Sequence, residues 1–106
     1  MSATPTPIPG FDHPWIAIDS GVAAIGVTQE TVDAAGDFIF VELPAVGLRV
    51  RAGEPLGTVE TVKAIVDIAS PLTAVVAEVN TELEERPRLI NDSPYDRGWI
   101  VKLRPQ

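Results

Sequence analysis

The chain has no cysteine and one histidine, His13, among its 106 residues. Without cysteine there is no disulfide framework, thiolate nucleophile or cysteine-bound metal. One histidine excludes an HExxH zinc site or a histidine cluster. None of Ser20, Ser70 and Ser93 sits in a G-x-S-x-G elbow that could pair with it. Beside Trp15, His13 reads as a structural residue. Basic residues are also scarce, 8 against 15 acidic ones, for a net charge of −7. They are scattered, with only Arg49 and Arg51 close together in a strand-like stretch, whereas nucleic-acid binding needs clustered cations to displace phosphate counterions. An acidic surface favours solubility and electropositive protein partners instead. No apolar run approaches the roughly 20 residues that span a bilayer. The opening segment has neither the apolar core of a signal peptide nor the arginines of a transit peptide. A cytoplasmic protein with no membrane or nucleic-acid partner is expected.

What is present fits one small β-rich domain. An apolar fraction of 45% supports a single core, but a chain this short has little room for a deep substrate pocket as well. Residues 1–10, with Pro5, Pro7 and Pro9, are expected to form a flexible tail ahead of a domain over 11–106. Trp15–Ile18 and Val22–Val27 flank Asp19-Ser20-Gly21, a hairpin signal. Thr28 can cap a short helix, with Glu30 in its first turn and Gly36 as its stop. Phe38–Leu43 is the strongest strand, rich in β-branched and aromatic residues. Alternation at 48–51 predicts another, half-buried strand. Further strands are expected at 57–60, 65–69, 72–79 and 99–103. Thr81 and Glu84 fit a capping box opening a helix that Pro87 must cut short. The acidic group Glu82, Glu84 and Glu85 then reads as solvated helix-start residues. Gly53 and Gly57 are too sparse for a phosphate loop. Trp15, Phe40, Val50, Leu56, Val66, Ile68, Val79 and Trp99 are the expected core. The fold class is all-β with two short helices, a sandwich or barrel, in a monomer.

One segment stands apart, Glu60-Thr61-Val62-Lys63-Ala64, between apolar strand residues. Lys63 can be an ordinary surface lysine or an amine displayed for acylation at a hairpin tip. Display needs small neighbours, which Thr61 and Ala64 supply, and rigid strands behind, which Val59, Val66 and Ile68 can anchor.

Gly47-x-x-Val50-x-x-Gly53-x-x-Leu56 followed by that block resembles the lipoyl and biotinyl carriers. The biotinyl branch usually has methionines beside its lysine; here they are Val62 and Ala64. The chain resembles glycine cleavage H proteins more specifically. The residues that carry this include His13-x-Trp15, Ile25-Gly26-Val27-Thr28, Gly36-Asp37, Phe40-Val41-Glu42-Leu43-Pro44 and Val59–Ala64. Asp67, Pro71, Glu78-Val79-Asn80, Leu89-Ile90-Asn91 and Pro94-Tyr95-x-x-Gly98-Trp99 continue the match, in the same order, to about Leu103. The resemblance implies a barrel-sandwich hybrid, a carrier rather than an enzyme, with lipoate attached by a lipoyl ligase or lipoyltransferase to Lys63. It also implies three enzyme partners: glycine decarboxylase, aminomethyltransferase and dihydrolipoyl dehydrogenase. Two departures stand out. His13-Pro14-Trp15 replaces the family's usual His-Glu-Trp, whose glutamate lines the cleft that shelters the arm, so Asp12, His13 and Asp67 become the sheltering candidates. The helix usual in the family after the final strand is not seen before Gln106. An H-like carrier for lipoyl relay or sulfur oxidation is one alternative, and an unmodified interaction domain another.

Overall fold

The computed structural model describes residues 4–8, 10–11 and 13–106. Along them run β1 (Thr6–Pro7), β2 (Pro14–Asp19), β3 (Val22–Val27), α1 (Gln29–Ala35), β4 (Phe38–Glu42) and β5 (Arg49–Val50). Then follow β6 (Pro55–Thr61), β7 (Ile65–Ala69), β8 (Ala74–Val79), α2 (Glu82–Glu85), α3 (Leu89–Asp92) and β9 (Val101–Pro105). The strands form a six-stranded antiparallel sheet, β1-β2-β3-β9-β8-β5, and a three-stranded one, β4-β6-β7. The all-β expectation holds. The helices of the described residues number three rather than two, because Leu89–Asp92 makes its own turn beyond Pro87.

Local chemistry explains most elements. β2 and β3 are joined by Ser20 and Gly21, both at positive φ (52° and 78°), the turn whose twist matches flanking strands. Thr28 is extended and its hydroxyl accepts the Thr31 N–H at 3.3 Å, which caps α1 as expected. The Pro-rich opening contributes β1, which pairs Thr6 with Ile16 and Pro7 with Trp15 on the sheet edge, where proline is tolerated.

Side chains from both sheets meet in one core that includes Ile25, Phe38, Leu56, Val59, Ile68, Val76 and Leu103. Trp15, Val50, Leu56, Val66 and Ile68 are buried as expected, and Val79 packs partly against the core. Phe40 is not a core residue; it is 51% exposed, and Phe38 is the buried aromatic of β4. A bulge causes the exchange: Phe38 faces Thr61 and Phe40 faces Glu60, two steps on β4 against one on β6. Trp99 also falls outside the last strand and is half-buried, with the Lys102 ammonium 4.8 Å from its ring centre. Ile100 is buried beside it, donating its N–H to the Ile25 carbonyl at 2.8 Å.

Two further expectations change. The strand at 48–51 shrinks to Arg49–Val50, with Val50 buried and Leu48 exposed. Thr81 is already helical (φ −64°, ψ −20°) and makes no side-chain cap bond. An N-cap needs extended backbone to aim its oxygen at the first turn, so no capping box forms.

Candidate functional site

The β6–β7 hairpin is built on an inward row, Val41, Val59 and Val66, and an outward row, Phe40, Glu60 and Ile65. At its end the turn Thr61-Val62-Lys63-Ala64 is organised by Thr61. The Thr61 N–H donates to the Ala64 carbonyl at 2.8 Å. The Thr61 hydroxyl oxygen accepts the N–H groups of Lys63 at 3.2 Å and Ala64 at 3.0 Å. A side chain thus takes the place of a backbone acceptor, and it is itself buried. Val62, 84% exposed, and Lys63 project from the tip.

The Lys63 stem folds back over the end of α1. A Cβ on Gly36 would stand 3.2 Å from Lys63 Cε. Gly36 has φ 90° and ψ −156°, a conformation essentially restricted to glycine. Asn91 of α3 pins this junction from below. Its Nδ2 donates to the Gly36 carbonyl at 2.8 Å, and its Oδ1 accepts the Phe38 N–H at 2.9 Å. Asn91 belongs to the Leu89-Ile90-Asn91 motif, but its role is invisible in the sequence because its two partners are more than fifty residues away in the chain.

Beside the tip lies an open cleft of about 470 Å³, within the roughly 300–1,000 Å³ of small-molecule sites. The residues Glu30, Thr31, Ala34 and Ala35 of α1 form one wall, Ala64, Ile65 and Val66 the other, and His13 closes it. His13 is held from two sides. Its carbonyl accepts the Thr28 N–H at 2.9 Å, and its Nδ1 lies 3.3 Å from the Thr31 hydroxyl. A second cleft, about 540 Å³, lies by Trp15, Tyr95 and Trp99 and includes none of the hairpin tip. Among the described residues no three potential ligands from His, Asp or Glu cluster to hold a metal. None of their helices is long and apolar enough to cross a membrane. The arrangement is an accessible amine on a rigid support, next to a cleft with small apolar walls and a polar end. It can present an acyl group and give it somewhere to lie.

Residues 11–106 match the family model described as glycine cleavage H-protein. The chain belongs to that family. It is 48% identical over 92 residues to the glycine cleavage system H protein of Rubrobacter xylanophilus, covering 87% of this chain and 73% of that one. It is 50% identical over 91 residues to the mitochondrial glycine cleavage system H protein 2 of Arabidopsis thaliana, covering 86% and 58%. A crystal structure of the H protein from Mycobacterium marinum superposes with a TM-score of 0.84 at 38% identity, covering 89% and 79%. As an H-protein family member the chain is a carrier and not a catalyst.

Of the expected site residues, Lys63 and Val62 occupy the tip of the β6–β7 hairpin, Thr61 and Ala64 close it, and Glu60 lies one step behind on the outer face. His13 lines the cleft. Asp67 stands exposed on the same face as Ile65, about 7 Å further along β7, outside the cleft lining. Asp12 lies outside the described residues. Sequence reasoning placed Glu30 only as a helix-start residue; the cleft puts it across from the hairpin.

Proposed function

We propose that Lys63 carries a lipoyl group in amide linkage and that the protein shuttles the aminomethyl group of glycine. Glycine decarboxylase loads the arm, aminomethyltransferase unloads it, and dihydrolipoyl dehydrogenase reoxidises the dithiol, in the cytoplasm. The observation that carries the reading is the position of Lys63: exposed at the tip of a hairpin whose base is buried.

The residues present fit the group. A Cβ on Gly36 would stand 3.2 Å from Lys63 Cε, so the glycine leaves the lysine stem room beside the end of α1. Ala34, Ala35, Ala64 and Val66 offer an apolar wall for methylenes. When bound, the lipoyl dithiolane supplies the redox and acyl-carrying chemistry that no side chain here has. The protein's residues present the lysine, keep its neighbours small and hold the hairpin rigid. Glu60, Thr61, Val62 and Ala64 form the surface that a lipoyl ligase or lipoyltransferase must close over. Amide formation removes the Lys63 charge and makes the modified protein one unit more acidic.

Intact mass of protein from its native host tests the attachment. Wild type is expected to carry one lipoyl adduct. Lys63→Arg is expected to carry none while keeping its fold, since a guanidinium stays protonated and is a poor acyl acceptor. Lys102 is the one other lysine, and it lies in β9 over Trp99. An adduct that survives Lys63→Arg overturns the site. Lipoylated wild type that glycine decarboxylase from the same host fails to load would reassign the carrier to another lipoate-dependent system.

A further inference from the structure

The second cleft, about 540 Å³, plays no part in the display of Lys63. Its floor is a cross-strand row, Ala17, Ala24, Lys102 and Glu78, on β2, β3, β9 and β8. The alternate residues Ala23, Ile25, Val101 and Leu103 are buried in the core, so the row lies on the outer face of the six-stranded sheet. The lysine hairpin belongs to the other sheet, across the core.

The wall of the cleft is held by polar contacts. Asn80, itself buried, donates from Nδ2 to the carbonyls of Arg97 at 2.8 Å and Trp99 at 2.7 Å. The Ser93 carbonyl accepts the N–H groups of Gly98 at 2.7 Å and Asp96 at 3.2 Å. Trp15 packs on Tyr95, with ring centres 6.1 Å apart, and donates its indole N–H to the Pro94 carbonyl at 2.9 Å. The Tyr95 hydroxyl accepts the Gln29 N–H at 2.7 Å, which fixes its ring. The cleft is thus formed before anything enters it, and preformed sites bind with less ordering cost.

Its lining holds cations. The Lys102 ammonium stands 4.8 Å from the Trp99 ring centre and 3.9 Å from the Glu78 carboxylate, and Arg97 lies 2.9 Å from Glu82. Two further carboxylates of the lining, Asp19 and Asp96, are exposed and make no ion pair among the described residues. Asp96 follows Tyr95, whose ring is 42% exposed. An aromatic face beside a carboxylate suits a guanidinium, which stacks and pairs at once. Asp19 is four residues beyond Trp15 on β2, about 13 Å along the strand, and Ala17 lies midway.

We infer that this cleft docks an arginine-bearing segment of a partner protein, extended over Ala17 and Ala24. One guanidinium stacks on Tyr95 and pairs with Asp96, and a second, about four extended residues away by that spacing, pairs with Asp19. Four carboxylates against two cations in the lining, on a chain of net charge −7, supply the complementary field. A segment held there leaves the Lys63 tip free on the other side of the core, whether or not the lysine is modified.

The test titrates the isotopically labelled full chain with the end-blocked peptide Gly-Arg-Ala-Ala-Ala-Arg-Gly and reads amide and indole N–H resonances. Shifts are expected at Ala17, Ala24, residues 95–99 and the Trp99 indole, and none at 61–64. Asp19→Asn and Asp96→Asn are each expected to weaken binding about two- to fivefold, the scale of an exposed ion pair. Added salt should weaken wild-type binding. Lys102→Met removes the nearest competing charge and is expected to tighten binding by a similar factor. A peptide with adjacent arginines, and spermidine as a small polyamine, are expected to bind more weakly. Far-UV circular dichroism checks that each variant keeps its fold. Shifts spread over the whole acidic surface, spermidine binding as tightly as the peptide, affinity unchanged in the two aspartate variants, or no tightening in Lys102→Met overturns the inference.

Discussion

Thr61 shows how one side chain can decide whether a lysine is presentable. Its hydroxyl accepts two turn amides that would otherwise compete for water or distort the tip. Thr61→Val keeps the shape and removes both acceptor bonds. A hydrogen bond contributes about 0.5–1.5 kcal/mol net, so we expect a loss of about 1–2 kcal/mol, read from the urea midpoint. We also expect slower lipoylation of the intact Lys63, measured as the initial rate of mass shift with a lipoyl ligase. An unchanged rate would show that the tip needs no preorganisation. The Glu60–Ala64 motif was legible in the sequence as a pattern. The reason for its threonine was not, since it depends on where two amide hydrogens point.

Among the elements, β4 gives the clearest separation between pattern and outcome. Its run of apolar residues marks a strand, and a strand forms there. Which aromatic enters the core depends on the bulge between Phe38 and Phe40, and therefore on pairing with β6. Phe38→Ala is expected to cost about 3–5 kcal/mol by emptying a fully buried site. Phe40→Ala should cost less than about 1 kcal/mol, as exposed positions do. Urea unfolding of the two variants checks both values, and similar losses would contradict the bulge register. The outward row of Phe40, Glu60 and Ile65 then remains on the surface next to the modified tip. α2 carries the same lesson in reverse: its sequence fits a capping box, yet Thr81 enters already helical.

At the scale of the whole molecule, the core lies between the two sheets, and only the exposed tip of the lysine hairpin is peripheral to it. Every residue in that core is apolar, and none of it needs a bound group. Unmodified protein is therefore expected to fold cooperatively. Its far-UV circular dichroism spectrum and melting temperature should match those of lipoylated protein within a few degrees, since about 1 kcal/mol moves the midpoint of a domain this size by roughly 4–8 °C. An unfolded unmodified protein that folds on lipoylation would refute this. The β-rich class, the first hairpin, α1 with its caps and the displayed Lys63 were all legible in order along the chain, because each depends on contacts within a few residues.

The sequence by itself determined the all-β class, the first hairpin, the cap of α1 and the motif around Lys63. Those follow from composition, short-range periodicity and turn residues. Tertiary structure alone decided which aromatic is buried, that Asn91 fastens Gly36 under Lys63, and that Glu30 faces the hairpin across a cleft. Each of these joins residues more than twenty positions apart, through a bulge register or the docking of a helix on a sheet. Local pattern carries no record of such distances; only the packing of the two sheets and α1 sets them.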